Sequence, residues 1–338
     1  MKKTFIIAEA GVNHNGSLEL AIKLAEKAKE IGADCVKYQT FKAEQIVTSN
    51  SPKAQYQLKV TDSSESQFDM LKKLELKKED FATIKNHCEK IGIEFMSTPY
   101  NPEDALLLND LGVKAFKIAS GQMVETPFLN YVASFGKQMI VSSGMCDMNE
   151  VRMGINAIRE SGNNDIILLQ CNTDYPSKID DTNLLAMLTM KDELNVRVGY
   201  SDHVPNNYAC FAAVALGAEV IEKHFTLDKS MPGPDHSSSL EPREFHELIF
   251  GIRQIEKAMG SGIKIPSENE KKNIFGMRRS LVASENIRAG TTIELKHLGF
   301  KRPASGILPK DIDLVIGKTL LHDINKDEAF LFGQHLAT

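Results

Sequence analysis

Short apolar runs recur along the first 260 or so residues, each ending on polar side chains, with helical patterns between them. Phe5-Ile6-Ile7-Ala8-Glu9-Ala10 is the first, followed by the turn Gly11-Val12-Asn13-His14-Asn15-Gly16. Ser17 then reads as an N-cap, and Leu18, Ala21, Ile22, Ala25 and Ala28 recur at helical spacing up to Gly32. Cys35-Val36-Lys37-Tyr38-Gln39 repeats the theme. Ile93–Met96 exits on Ser97-Thr98-Pro99, Ala115–Ala119 on Ser120-Gly121-Gln122, and Met139–Val141 on Ser142-Ser143-Gly144. Ile166–Leu169 exits on Gln170-Cys171-Asn172-Thr173. The last two runs, Val196–Tyr200 and Glu219–Phe225, deliver His203 and His224, with an Ala-rich helical stretch, Tyr208–Leu216, between them. A strand–helix–strand unit forces parallel strands, so both imidazoles should emerge at one edge of one sheet.

Helical periodicity marks Phe81–Ile91, Asn101–Leu111, Glu150–Ser161 and a final amphipathic segment, Glu241–Met259. Only Phe41–Asp80 breaks the rhythm. It is polar and long for a connection, which favours a functional loop after a strand. Eight β/α units of this size predict a (β/α)₈ TIM barrel, which typically takes ~250 residues. A doubly wound open sheet competes, but no G-x-G-x-x-G follows the first run and polar residues leave every strand. The expected organisation is a catalytic barrel over 1–260, a polar linker over 261–277 and a small module of short alternating segments over 278–338. At about 60 residues that module is at the lower limit for independent folding, so it should lean on the barrel or on a partner subunit.

Composition narrows the setting. The chain has 338 residues, 42% hydrophobic and 25% charged, with a net charge of −5 and no basic block. That is ordinary for a soluble globular protein and offers no footprint for nucleic acid or an anionic membrane. Met1–Lys3 leads directly into a strand, leaving no room for a signal peptide, and no apolar stretch is long enough to span a bilayer. Five scattered cysteines without C-x-x-C spacing point to free thiols in a reducing cytoplasm.

In a barrel all eight strand exits converge on one face, where the chemistry sits. Delivered there are Glu9, Lys37, Gln39, Thr98, Lys117, Ser120, Ser142, Asn172, Thr173, Ser201, His203 and His224. Two lysines among small hydroxyls suit a bound oxyanion such as phosphate. Lys37 and Lys117 lie inside apolar runs, where a lysine is costly unless it is paired or snorkels to water. Strand alternation sends one of Glu222 and Lys223 away from the interior, and a Glu222–lysine salt bridge is the plain account of that carboxylate. His14 is either a ligand or a turn histidine capping its own backbone, and His236 is expected to be exposed. Two imidazoles with nearby carboxylates, Glu9 or Asp235, suit a divalent metal with open positions. These parts fit carbon–carbon bond formation on a metal-polarised carbonyl. They would equally make a barrel metallohydrolase, while a non-catalytic sugar-binding protein would need no metal.

At these residues the chain resembles the N-acetylneuraminate (sialic acid) synthase family, which includes the legionaminic acid synthases. The matching motifs run in order through nearly the whole chain. They are A-E-A-G-V-N-H-N-G (8–16), V-K-Y-Q-T-F (36–41), S-T-P (97–99), K-I-A-S-G (117–121), S-S-G-M (142–145), C-N-T-D-Y-P (171–176), G-Y-S-D-H (199–203), E-K-H-F-T (222–226), P-G-P-D-H (232–236) and K-R-P (301–303). The resemblance implies a barrel followed by an antifreeze-like (SAF) domain, in a domain-swapped homodimer.

It also implies condensation of phosphoenolpyruvate with the open-chain form of N-acetylmannosamine, or of a 2,4-diacetamido-2,4,6-trideoxymannose relative; the former is favoured narrowly. His203 and His224 would bind a divalent cation, manganese. Lys37, Thr98, Lys117, Ser120, Ser142, Thr173 and Ser201 would hold phosphoenolpyruvate. Glu9, Gln39, Tyr175 and Asp235 would face the sugar, with Arg302 reaching in from the partner chain. The C3 carbon of phosphoenolpyruvate would attack the aldehyde, water would add at C2, and phosphate would leave by C–O cleavage. One departure stands out: position 122 is Gln where relatives commonly carry Glu, and an amide cannot take a proton from water. Either Glu9 or Asp235 supplies that base, or Gln122 only orients ligands. The loop around Gln55-Tyr56-Gln57 and Asp62–Gln67 should bear on the choice of sugar.

Overall fold

The computed structural model of the chain describes residues 3–54, 57–62 and 64–337, in two compact units, Met1–Ser261 and Gly262–Thr338. In the first unit the apolar runs become eight parallel strands: β1 (Phe5–Gly11), β2 (Cys35–Thr40), β3 (Glu94–Pro99), β4 (Ala115–Ile118), β5 (Gln138–Ser142), β6 (Ile166–Cys171), β7 (Arg197–Asp202) and β8 (Val220–His224). Their order is β3-β2-β1-β8-β7-β6-β5-β4, and β3 and β4 lie side by side to close the ring. This is the expected (β/α)₈ barrel.

Side-chain alternation explains what the interior holds. Ile7, Cys35, Met96, Ala115, Ile140, Ile167, Leu169 and Val220 pack together as an apolar floor, distinct from the larger core under the helices. Two residues further along the same faces come Glu9, Lys37, Thr98, Lys117, Ser142, Cys171, Ser201 and Glu222. The interior therefore turns from apolar to polar within a single side-chain layer. Fully burying each large floor residue contributes roughly 1.5–3 kcal/mol, and this anchors the polar layer above it.

Around the barrel the periodic segments are helices: Leu18–Glu30, Lys78–Ile91, Pro102–Asp110, Met148–Glu160, Tyr208–Ala215 and Pro242–Met259. Ser17 caps the first as expected, accepting from Leu20 N–H at 3.3 Å. Two helices that periodicity did not single out, Thr126–Ala133 and Leu185–Leu194, complete the shell. The long stretch after β2 contains short helices at Ala43–Ile46, Gln57–Val60 and Gln67–Lys73. Val12, Phe41, Met70 and Leu74 form a small core that fastens it to the end of β1. Gln55, Tyr56 and Ser63 of the proposed sugar-selecting loop lie outside the described residues.

The second unit has a core of its own, with Leu281, Ile293, Val315, Leu320 and Phe330 almost wholly buried. An antiparallel pair, β9 (Ser280–Ala283) and β10 (Leu298–Lys301), lies within it. One expectation is corrected here. The stretch read as linker, 261–277, contains the helix Glu268–Met277. Ser267 accepts from Glu270 N–H at 3.2 Å and the Glu270 carboxylate takes Ser267 N–H at 2.7 Å, a capping box that starts a helix despite polar composition.

Candidate active site

The polar layer opens into a cavity of about 360 Å³ lined by Glu9, Lys37, Gln39, Thr98, Lys117, Ser120, Gln122, Ser142, Thr173, Tyr175, Ser201, His203 and His224. An adjoining cavity of about 210 Å³ shares Gln39, Ile46, Tyr100, Tyr175 and His224 as its wall and adds Asp235. Thus every expected barrel residue but Asn172 reaches one of two contiguous spaces; Asn172 turns its side chain away, its Nδ2 donating to Asp181 O at 2.6 Å. Arg302 belongs to the second unit, where its Nε donates to Met277 O at 3.0 Å.

Neither lysine snorkels. Lys37 and Lys117 are each 3% exposed. Lys37 Nζ lies 2.7 Å from Glu9 Oε2 and donates to Thr98 Oγ1 at 3.0 Å. Lys117 Nζ donates to Ser142 Oγ at 2.7 Å. Between them sits Glu222, 3.7 Å from Lys37 and 3.5 Å from Lys117, accepting also from Ser201 Oγ at 3.1 Å. This carboxylate was legible only as a bland ion pair; its parity with His224 on β8 was the signal that it points inward.

Charge follows burial and pairing. Burial opposes the Glu222 carboxylate, but Lys117 and Lys37 outweigh it and bring its pKa down to about 2. Burial likewise opposes the Lys37 ammonium, and Glu222 and Glu9 overcome it and hold the proton more tightly than usual. Lys117 goes the other way: burial pulls it below the ordinary lysine value despite Glu222. For Glu9, burial wins over Lys37 and pushes the carboxyl up to about 7. The layer is thus short of compensating negative charge at Lys117, a setting that favours an arriving anion.

Gly11 (φ +53) allows Glu9 and Gln39 to close over β1, since a Cβ there would lie 3.2 Å from Glu9 Oε1. Gln39 Nε2 donates to that oxygen at 3.3 Å. Gly144 is required for a different reason: a Cβ would fall 2.4 Å from Thr173 Oγ1 and 2.7 Å from Ser120 Oγ. Its N–H donates to Ser120 Oγ at 3.0 Å, so backbone and two hydroxyls form one hydrogen-bonding rim beside Lys117.

The two imidazoles meet as the strand geometry demands, with ring centroids 5.4 Å apart and Tyr175 4.1 Å from His203. His203 Nδ1 is 2.5 Å from Asn172 O, which assigns a proton to that nitrogen; burial opposes the imidazolium, but Cys171 beside it outweighs burial and raises the pKa. His224 Nδ1 is buried without a hydrogen-bond partner. Burial, with His203 next to it, holds His224 far below the ordinary imidazole value and therefore neutral. On the outer face Lys223 pairs with Asp202 and donates to Val204 O at 2.6 Å and Asn206 O at 2.9 Å, tying down the loop after His203.

Three other expectations resolve. Gln122 is 3% exposed and its amide is committed to backbone: Oε1 accepts from Ala119 N–H at 3.3 Å and Nε2 donates to Tyr100 O at 3.2 Å. His14 is the turn histidine, Nδ1 accepting from Gly16 N–H at 3.1 Å. His236, expected exposed, is instead buried and shares a 2.6 Å hydrogen bond with Thr226 Oγ1, because the Pro/Gly turn folds back over β8. Tyr100 lines the cavity unannounced by any motif, and Cys171, part of a matching motif but given no role, lines it too.

Comparison with known proteins places this arrangement. Residues 278–333 match the SAF domain. The chain is 48% identical over 330 residues to the N,N'-diacetyllegionaminic acid synthase of Campylobacter jejuni, covering 97% of this chain and 99% of that protein. It is 43% identical to the Legionella pneumophila protein of the same name over 332 residues, 97% of this chain and 93% of that one. Among solved structures, the sialic acid synthetase of Leptospira borgpetersenii superposes with a TM-score of 0.73 at 32% identity, covering 81% of this chain and 90% of that one. With residues 24–264 matching its family model, the chain belongs to the NeuB family.

Proposed function

We propose that the chain is a phosphoenolpyruvate-dependent nonulosonic acid synthase. It joins phosphoenolpyruvate to the open-chain form of 2,4-diacetamido-2,4,6-trideoxymannose, giving a legionaminic acid and phosphate by C–O cleavage. The observation that carries the reading is the meeting of two buried lysines and two imidazoles in one cavity. Lys117, Ser142, Ser120, Thr173 and Gly144 N–H form the phosphate end, and Lys37, Thr98 and Ser201 lie beside the carboxylate end. An arriving anion would offset the burial that disfavours the Lys117 ammonium. The relatives' names favour condensation over a metallohydrolase or a sugar-binding protein.

The relatives also shift the choice of sugar away from N-acetylmannosamine, and the adjoining cavity supports the shift. Val12, Phe41, Ile46, Val47, Met70, Leu71 and Leu74 make much of its wall. A 6-deoxy carbon and two acetyl methyls suit such a surface better than a free 6-hydroxyl, which would lose its water there. Asp235, whose carboxyl burial pushes up to about 6, and Gln39 supply the polar contacts.

The donor set fits a divalent cation. His224 is neutral with an unpartnered nitrogen, and the Asn172 carbonyl orients His203 as outer partners of metal-bound imidazoles do. His203 and His224, with ring centroids 5.4 Å apart, are the residues that would hold it; among the described residues no group of three or more His, Cys, Asp and Glu is gathered there. When bound, manganese would polarise the aldehyde carbonyl. Tyr175 packs on both imidazoles and closes that corner of the cavity against solvent. A cytoplasmic, domain-swapped homodimer in which Arg302 serves the partner's acceptor belongs to the same reading; all five cysteines are unpaired, as a reducing compartment requires.

The test is phosphate release and mass spectrometry with phosphoenolpyruvate, manganese and each candidate sugar. We expect turnover of the trideoxy sugar with a 2,4-diacetamido product, and none after chelation. Phosphate release without any sugar would favour the hydrolase, and sugar binding undiminished by chelator without turnover would favour the sugar-binding protein.

A further inference from the structure

Three glutamates line the cavity of the paired lysines: Glu9, Glu222 and Glu125. Two are committed, Glu9 to Lys37 and Gln39, Glu222 to both lysines and Ser201. Glu125 is different. It is the N-cap residue of the helix Thr126–Ala133, yet its side chain makes no capping bond. Among the described residues no ion pair or hydrogen bond engages that carboxylate either, and its partial burial, acting alone, raises its pKa. Asx and short hydroxyl side chains are the ones that reach back to cap; a glutamate at this position is free to extend.

Its placement answers the substitution at position 122. Glu125 N–H donates to Gln122 O at 3.0 Å, so the two residues belong to one turn, three positions apart, on the loop leaving β4. The Gln122 amide is spent on the backbone of two loops and holds no proton-accepting group. Ser120, at the start of the same loop, lies on the phosphate end of the cavity.

We propose that Glu125 is the catalytic carboxylate that carries a proton from the water adding at C2 to the departing phosphate, resting on the condensation proposed above. The balance closes without another acid or base. When C3 of phosphoenolpyruvate bonds to the aldehyde carbon, the aldehyde oxygen becomes an alkoxide. Water then bonds to C2, and its oxygen stays there as the keto oxygen of the product. Of its two hydrogens one ends on the new sugar hydroxyl. Glu125 takes the other and gives it to the bridging oxygen as the C2–O bond to phosphate breaks. Glu125 begins and ends the cycle as a carboxylate.

The experiment compares wild type with Glu125→Gln in phosphate release with both substrates and manganese, and in phosphoenolpyruvate binding by calorimetry without sugar. kcat is expected to fall about 100-fold, while the dissociation constant for phosphoenolpyruvate stays within about threefold. The limb of the pH–kcat profile that reports this carboxylate should vanish. Glu125 is exposed at the rim and unbonded, so the melting temperature should not move. Adding Gln122→Glu to the variant should return at least about tenfold of kcat, because a carboxylate re-enters from the same turn. A kcat within threefold of wild type, or a defect confined to phosphoenolpyruvate binding, overturns the assignment. If wild type itself releases no phosphate from these substrates, the parent reading falls first, and the variant is not needed to see it.

Discussion

The two cavities that meet at Gln39, Ile46, Tyr100, Tyr175 and His224 are built by largely opposite means. One is made by strand ends: Lys37, Lys117, Ser142, Ser201 and Glu222 stand on β2, β4, β5, β7 and β8, one layer above an apolar floor. Backbone register fixes their positions, and their charges are set by one another. The other is made largely by loops: Phe41, Ile46, Met70, Leu71 and Leu74 come from the irregular stretch after β2, and Asp235 from the turn after β8. Rigid strands suit a donor whose phosphate and carboxylate do not vary. Loop-borne apolar side chains can change without disturbing the barrel, which is where selection among acceptor sugars is best placed. If this contrast is right, damage on the strand side should cost both fold and chemistry, and damage on the loop side chiefly selectivity.

The largest effect is expected at Lys117. Lys117→Met leaves Glu222 buried with half its compensation, and breaking a buried pair typically costs about 3–5 kcal/mol. Denaturant unfolding should register that loss, and calorimetry should show phosphoenolpyruvate binding weakened by at least about 100-fold, as losing a charge-assisted contact implies. Adding Glu222→Gln should recover much of the stability and none of the binding. A Lys117→Met protein as stable and as competent in binding as wild type would break the contrast at once.

A smaller effect separates the two sides by pH. Glu222, held at about 2, keeps its charge across the whole mild-acid range. The turns behind the sugar cavity instead rest on two neutral histidines: burial lowers both His14 and His236 from 6.5 to about 4. Between these values the unfolded chain binds protons that the folded chain refuses, so stability falls as pH drops from 6.5 towards 4 and levels off below. For His14 alone the loss by pH 5 is about 1–2 kcal/mol. Glu9 and Asp235, pushed up to about 7 and about 6 by burial, contribute with the opposite sign over the same window. The difference in unfolding midpoint between wild type and His14→Gln, measured from pH 7.5 to 5, is therefore what should follow the His14 curve. A difference that stays level across that range would show that the turn does not depend on a neutral imidazole.

The same division decides what the sequence disclosed. Strand residues were readable because period-2 alternation and a repeated apolar-to-polar exit leave few options: Lys37, Lys117, His203 and His224 all arrive where that pattern sends them. Glu222 obeys it too: sharing its face with His224 and the floor residue Val220, it turns inward and sends Lys223 outward. Loops obey no period. The burial of His236, the helix at Glu268–Met277 and the unbonded carboxylate of Glu125 each depend on a fold-back, a cap or a missing cap. Those are tertiary or single-bond facts, and polar composition alone points the other way.

The finest test lies on the loop side. Leu71 is half-buried on the wall of the sugar cavity and stands on no strand. Leu71→Gln offers an amide where the 6-position of an acceptor would otherwise meet hydrocarbon. One methyl-sized contact in an apolar pocket is worth about 1–3 kcal/mol of discrimination. The ratio of kcat/KM for the diacetamido-trideoxy sugar over N-acetylmannosamine should therefore fall by about tenfold, within that range. Phosphoenolpyruvate affinity should stay unchanged, since no strand-borne group has moved. A variant that loses the two sugars in equal proportion would mean the apolar wall only supports the loop, and selection would then have to be sought at Gln39 and Asp235.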